Sequence, residues 1–218
     1  MAVRAILIAA KELSFAKTRL ASVLPSAAER SALAEAMFRD VLSAALSTPM
    51  AAMVAVITSD RRLLGLARQG GALPIDEEYP RGLNNAAGLA TEVLIARGAR
   101  TVCTLLSDCP LITAEDIGAV FDAMPEADRA AVLVPSFDFS GTNMIARSPA
   151  DVIATYFGRL SLARHVEACH ERGIGCRTLR LTRPALDLDV PSDLIEFART
   201  PSMTHTFGHL SRLGMIHG

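Results

Sequence analysis

Asp108 stands directly after the largely apolar run 102–107 and directly before Cys109-Pro110, which places a carboxylate at the carboxyl end of a buried strand. Open α/β sheets hold their ligands at that edge. A charge beside a core needs a cation, hydrogen-bond donors or water to take it up, and the partner expected here is a divalent metal. Asp187 and Asp189 are the remote acidic counterpart, since Mg²⁺ takes one or two carboxylates with phosphate oxygens and keeps several waters. Asp189 has a second reading, because a helix is expected to open near Pro191 with Asp189 or Ser192 as its cap. Lys11, Lys17 and Arg19 put three cations into nine residues immediately after the first apolar run. A mobile ammonium and a guanidinium fork together suit the oxygens of a triphosphate, and a solvated basic loop is the plainer alternative.

Two glycine-containing turns carry the remaining candidates. In Gly141-Thr142-Asn143 and in Phe157-Gly158-Arg159-Leu160-Ser161, backbone N–H groups and hydroxyls are available to a small anion, and Ser161 can open a helix, where anions are favoured. His165, four residues on, is placed either to touch the same anion or to pack. Asn84 reads as a nucleoside contact or as a helix N-cap. His205 and His209 share a helical face without an acidic third ligand and read as solvent-exposed. No Gly-x-Ser-x-Gly elbow, P-loop or C-x-x-C pair occurs, which removes the corresponding hydrolase, kinase-like and zinc or redox readings.

Alternating segments must position these residues. Strands are expected over 3–9, 52–58, 102–107, 131–134, 143–147 and 177–181. Helices are expected from Ser26, whose spacing to Glu29 is that of a capping box, to Pro49, then over 63–68, 83–97, from Thr113 with Asp116, and over 150–156 and 161–172. Such alternation implies a three-layer αβα fold with a mostly parallel sheet, whose right-handed crossovers bring the loops after each strand to one edge. The 218 residues, half of them hydrophobic, suffice for one domain over 1–199, with the polar stretch 200–218 as a tail or an interface arm of a homodimer. A net charge of −1 and an aromatic content of 5% give no general case for nucleic acid. Neither a spanning apolar stretch nor a leader pattern is read, so a cytoplasmic protein without membrane association is expected.

Taken in order, Lys11 with Ala16-Lys17-Thr18-Arg19-Leu20, Leu83-Asn84, Ser107-Asp108-Cys109-Pro110-Leu111, Gly141-Thr142-Asn143, Phe157-Gly158 with Ser161 and His165, and the segment 187–194 resemble one family over about positions 3–195. It is the small guanylyltransferases that make the phospho-carboxylate guanosine diphosphate donor for the deazaflavin coenzyme F-420. Ala10 and Cys109 depart from residues common in that family, and neither change removes a charged or hydroxyl group. The resemblance implies a nucleotidyltransferase of the glycosyltransferase-A type, with GTP and a small phosphorylated carboxylic acid as substrates. It also implies Thr142, Gly158 and Ser161 at the acid, and Asp108 and Asp189 on Mg²⁺. A metal-dependent sugar transferase and a GTP-binding module without turnover are the alternatives, because fold does not fix chemistry.

Overall fold

The computed structural model describes residues 2–216. From Ala5 onward every side chain of β1 (Val3–Ala9) is buried, as a strand covered on both faces requires. Around it stand β2 (Met53–Thr58), β3 (Leu73–Asp76), β4 (Ala99–Leu106), β5 (Ala130–Pro135), β6 (Thr142–Ser148) and β7 (Gly175–Thr178). Among the described residues they form one seven-stranded sheet in the order β3-β2-β1-β4-β6-β5-β7. Strand β6 runs antiparallel to both of its neighbours, and the other pairings are parallel.

Successive side chains on a strand point to opposite faces, and this splits the core. Ile6, Ile8, Val56 and Leu105 pack under α1 (Ala27–Leu46), α2 (Arg61–Gly70) and α4 (Ala114–Asp122). Ala5, Leu7, Ile57 and Val102 meet α3 (Leu83–Ala96), while Leu133 and Ile145 meet α5 (Ser161–Glu171). The result is the αβα sandwich that the alternation implies. No helix of the described residues is long and apolar enough to cross a membrane.

The local signals act as their chemistry dictates. Ser26 caps α1, its hydroxyl accepting from the Glu29 N–H at 3.3 Å. Thr113 and Asp116 exchange side-chain-to-backbone hydrogen bonds at the start of α4. Three expectations are corrected. Residues 150–156 form turns and not a helix, because the Ile153 carbonyl accepts from buried Arg147 at 2.8 Å and the Val152 carbonyl from Arg172 at 3.0 Å, so side chains take the place of helical donors. Strand β7 starts at Gly175, ahead of the expected 177, and the short edge strand β3 was not anticipated.

The third correction concerns the segment after Thr200. Beyond the short α6 (Thr182–Ala185) and α7 (Pro191–Ala198), it folds back as α8 (His205–Arg212). Asp40 of α1 accepts from the N–H groups of His205 and Thr206, at 2.7 and 2.9 Å, and from the Thr206 hydroxyl at 2.6 Å. Phe207 and Leu210, one helical turn apart, enter the core formed by Leu33, Met37 and Phe197. The stretch is therefore the closing helix of the same body and not an arm, and the homodimer expectation loses the segment that motivated it.

Candidate active site

The parallel strands bring the loop after β1, the turn after β4 and the first residue of antiparallel β6 to the same edge of the sheet. Asp108 lies two residues beyond β4, and its carbonyl accepts from the Leu188 N–H at 3.1 Å, which sets the 187–189 segment alongside. In that segment Leu186 and Leu188 are buried while Asp187 and Asp189 are partly open, an alternation of period two that turns both carboxylates away from the core. A further anchor lies upstream, where Arg183 of α6 forks onto Asp116 of α4 at 2.8 and 2.9 Å.

Lys17 joins the two remote acids. Its Nζ donates to Asp108 Oδ2 at 2.9 Å and to Asp189 Oδ1 at 2.7 Å, with 8% of its side chain exposed. The residue adopts a left-handed backbone, φ 55°, which is uncommon outside glycine and is held here by two long-range ion pairs. Burial opposes its charge, but Asp108 and Asp189 outweigh that and raise the ammonium's pKa. Asp189 is likewise buried against its charge, yet Lys17, Arg19 and Lys11 hold its carboxyl below the usual range. Burial and the neighbouring Asp108 push Asp187 up to about 6.

The expected cations thus divide. Lys17 is spent on the carboxylates in this structure and does not face open solvent. Arg19 stands 3.8 Å from Asp189 and is exposed, as is Lys11, which leaves these two free to meet phosphate oxygens. Asp189 does not cap α7. Asp193 reaches back instead and accepts from the Asp189 and Val190 N–H groups at 2.8 Å each, so the Asp189 carboxylate is released for the site. The donor set suits Mg²⁺, since Asp108 Oδ1 is buried without a hydrogen-bond partner beside the Asp189 carboxylate. No cluster of three His, Cys, Asp or Glu ligands occurs among the described residues, and a magnesium held partly by phosphates needs only one or two carboxylates.

The second half of the site is neutral. Thr142 opens β6 and its Oγ1 lies 3.1 Å from Nδ1 of His165 on α5; the backbone N–H of Tyr156 donates to the other ring nitrogen at 2.8 Å. Burial, then Arg147 and Arg164, lower the imidazole's pKa to about 4, against a weaker opposing effect of the Ser161 carbonyl. Ser161 opens α5 behind Leu160, a second left-handed residue at φ 53°; the helix has no side-chain cap, and its Ser161 and Leu162 N–H groups donate to the Gly158 and Ser140 carbonyls at 3.2 and 3.5 Å. Thr142 and Ser161 are 2% and 1% exposed, and Gly158, at φ 117°, is the open member of the three. Gly141 must stay small, because a Cβ there would lie 2.9 Å from Ser136 Oγ.

Two asparagines tie this half to the rest. Asn84 is not an N-cap, a position taken by Gly82. Its amide donates to the Phe157 carbonyl at 3.0 Å and accepts from the Phe157 N–H at 2.7 Å, clamping the turn that leads to Gly158. Asn143, whose role was not anticipated, donates to the Pro184 and Ala185 carbonyls at 3.0 Å and to Asp187 Oδ1 at 3.1 Å. Adjacent on one strand, Thr142 faces the neutral half and Asn143 the acidic half. The signal for Asn143 was present in its place beside Thr142, but its partners lie about forty residues away.

Comparison with known proteins decides the family. Residues 4–217 match the family described as "Guanylyl transferase CofC like". The chain belongs to this family, and the match reaches past position 195 to include the closing helix. A 3-phospho-D-glycerate guanylyltransferase from Phenylobacterium zucineum is 38% identical over 202 residues, 91% of this chain and 91% of that one. A phosphoenolpyruvate guanylyltransferase from Sphaerobacter thermophilus is 36% identical over 188 residues, 86% of this chain and 89% of its own. Among solved structures, one described as a nucleotide-diphospho-sugar transferase from Desulfovibrio desulfuricans superposes with a TM-score of 0.78 at 18% identity, covering 98% of this chain and 96% of that chain. A cytidylyltransferase from Leptospira borgpetersenii superposes with a TM-score of 0.64 at 13% identity, over 98% and 96%. These likenesses show the fold, that of nucleotidyltransferases.

Proposed function

We propose that this CofC-like chain moves the guanylyl group of GTP onto the phosphate of phosphoenolpyruvate, 3-phosphoglycerate or 2-phospholactate, with release of pyrophosphate, and so supplies the diphosphate donor for coenzyme F-420. One observation carries the reading beyond kinship. Carboxylates from remote segments, Asp108 and Asp189, converge on Lys17 at the same sheet edge as Thr142 at the start of β6.

The acid's phosphate oxygen attacks the α-phosphorus of GTP, and the bond from that phosphorus to the oxygen bridging the β-phosphate breaks. No general base is required, because a phosphate monoester with a second pKa of about 6 is already largely dianionic at neutral pH. The protein's task is to hold two anions together against their repulsion. Lys11 and Arg19 face the triphosphate, Lys17 keeps Asp108 and Asp189 in register, and Thr142, Gly158 and the Ser161 end of α5 receive the acid. Mg²⁺ on Asp108 and Asp189 would neutralise phosphate charge when bound. A cytoplasmic setting belongs to the same proposal.

Incubation with each nucleoside triphosphate and each of the three acids, scored by pyrophosphate release and by mass spectrometry of the product, tests it. Release with GTP and at least one acid, and a product mass of GMP joined to that acid, is expected. Hydrolysis of GTP independent of any acid overturns the reading.

A further inference from the structure

The imidazole of His165 is wholly buried between three elements that each carry one residue of the neutral half: β6 with Thr142, the 156–158 turn with Gly158, and α5 with Ser161. Its ring is fixed edge-on between Tyr156 and Phe157, with centroids 5.6 and 5.7 Å away. A backbone N–H can only donate, so the hydrogen bond from Tyr156 requires a bare Nε2. A neutral ring with a bare Nε2 carries its proton on Nδ1. Nδ1 therefore cannot accept from Thr142, and its N–H is shared between the Thr142 oxygen at 3.1 Å and the Ser161 carbonyl. With that lone pair engaged, the hydroxyl hydrogen of Thr142 has to be directed away from the ring.

We infer that His165 is the positioning residue of the acid pocket: by holding the Nδ1–H tautomer it makes the Thr142 hydroxyl a hydrogen-bond donor to the incoming anion. The inference rests on the reading that Thr142 meets the phospho-acid. It excludes proton transfer by His165, which has one nitrogen capped by backbone and the other facing a hydroxyl. The chemical class recognised is a phosphate or carboxylate, which accepts a donated hydrogen bond, and not a neutral sugar hydroxyl that could serve as either partner.

Two variants separate the functions of the two ring nitrogens. In His165→Asn the side-chain amide N–H replaces Nδ1–H, and in His165→Gln the amide oxygen replaces Nε2 while the donor to Thr142 is lost. His165→Gln is expected to raise the KM of the acid about tenfold to a hundredfold and leave that of GTP unchanged, the scale of a hydrogen bond to a charged group. His165→Asn is expected to stay within about threefold of wild type for the acid, on the scale of one neutral hydrogen bond lost. Thr142→Val should match His165→Gln, and the double variant should lose no more than either alone.

If Thr142→Val leaves the acid's KM unchanged, the placement of the acid is wrong. If Thr142→Val raises it but His165→Gln does not, or the two losses add, the positioning role is wrong. A measurement on the wild-type protein stands apart from folding of the variants: ¹⁵N spectra of the imidazole should show a protonated Nδ1 and a bare Nε2 at neutral pH. The opposite tautomer overturns the inference.

Discussion

The two halves of the site solve opposite problems at one edge of the same sheet. On one side Lys17, Asp108, Asp189 and Arg19 are joined by ion pairs across long sequence separations with Lys11 exposed near them, and all but Lys17 are at least partly open to water. On the other, Thr142, His165 and Ser161 are uncharged and buried, and directional hydrogen bonds fix the His165 ring between Thr142 of β6 and the backbone of Tyr156. Charges can act through a few ångströms of wet space with side chains that move. A neutral donor acts only at hydrogen-bond distance, so its orientation must be built in beforehand.

If chemistry depends on the charged half, Asp108→Asn should give the largest effect, a fall in turnover of about 100- to 1000-fold, comparable with the loss of a group that stabilises charge in a transition state. The fold should survive, since shape is kept, and pyrophosphate release beside a thermal melt reads both. Near-wild-type turnover would break the division of labour.

A pH titration of stability addresses the neutral half. His165 has a pKa of about 4 when folded, against about 6.5 for an unperturbed histidine. As pH falls from 6.5 to 4 the unfolded chain takes up a proton that the folded one refuses. Wild type should thus lose up to about 3 kcal/mol relative to His165→Asn across that window, and nothing further above pH 7. Chemical denaturation of both proteins at several pH values checks this, and parallel curves would mean that the ring titrates normally.

Lys17→Met should cost about 1–3 kcal/mol, less than a fully buried pair because Asp189 is 42% exposed. Adding Mg²⁺ should then raise the melting point of the variant more than that of wild type, since two carboxylates have lost their shared ammonium. Equal shifts would place the ion elsewhere. The smallest effect is expected for Asn84→Ala, about 1 kcal/mol of stability with a modest rise in the acid's KM and none in that of GTP. A selective rise for GTP would return Asn84 to the nucleoside.

The contrast between the halves also explains what could be read from residues alone. Asp108 was legible because a lone charge after an apolar run has few bland explanations, and the α/β alternation follows from periodicity. Lys17 was legible as a cation but not as the link between Asp108 and Asp189. That link depends on a left-handed backbone at a lysine and on contacts 91 and 172 residues distant. The capping reading of Asp189 fell to Asp193, a second acid four residues on that serves the helix end. Asn84 could not be placed from its position at a helix start, since its partner is the backbone of Phe157, 73 residues later. Polar composition after Thr200 concealed α8, whose docking needs only Phe207, Leu210 and the carboxylate of Asp40.

Strand β6 alone, among the described residues, runs against its sheet, and so it enters the ligand edge with its first residues where every neighbour arrives with its last. Thr142 is held there by its pairing with Pro135 of β5, and Asn143 by its side-chain hydrogen bonds to Pro184, Ala185 and Asp187. On the proposed function, divergence toward a different acid falls to residues 137–140, outside the strands, since Gly141 must stay small and Gly158 holds a positive φ.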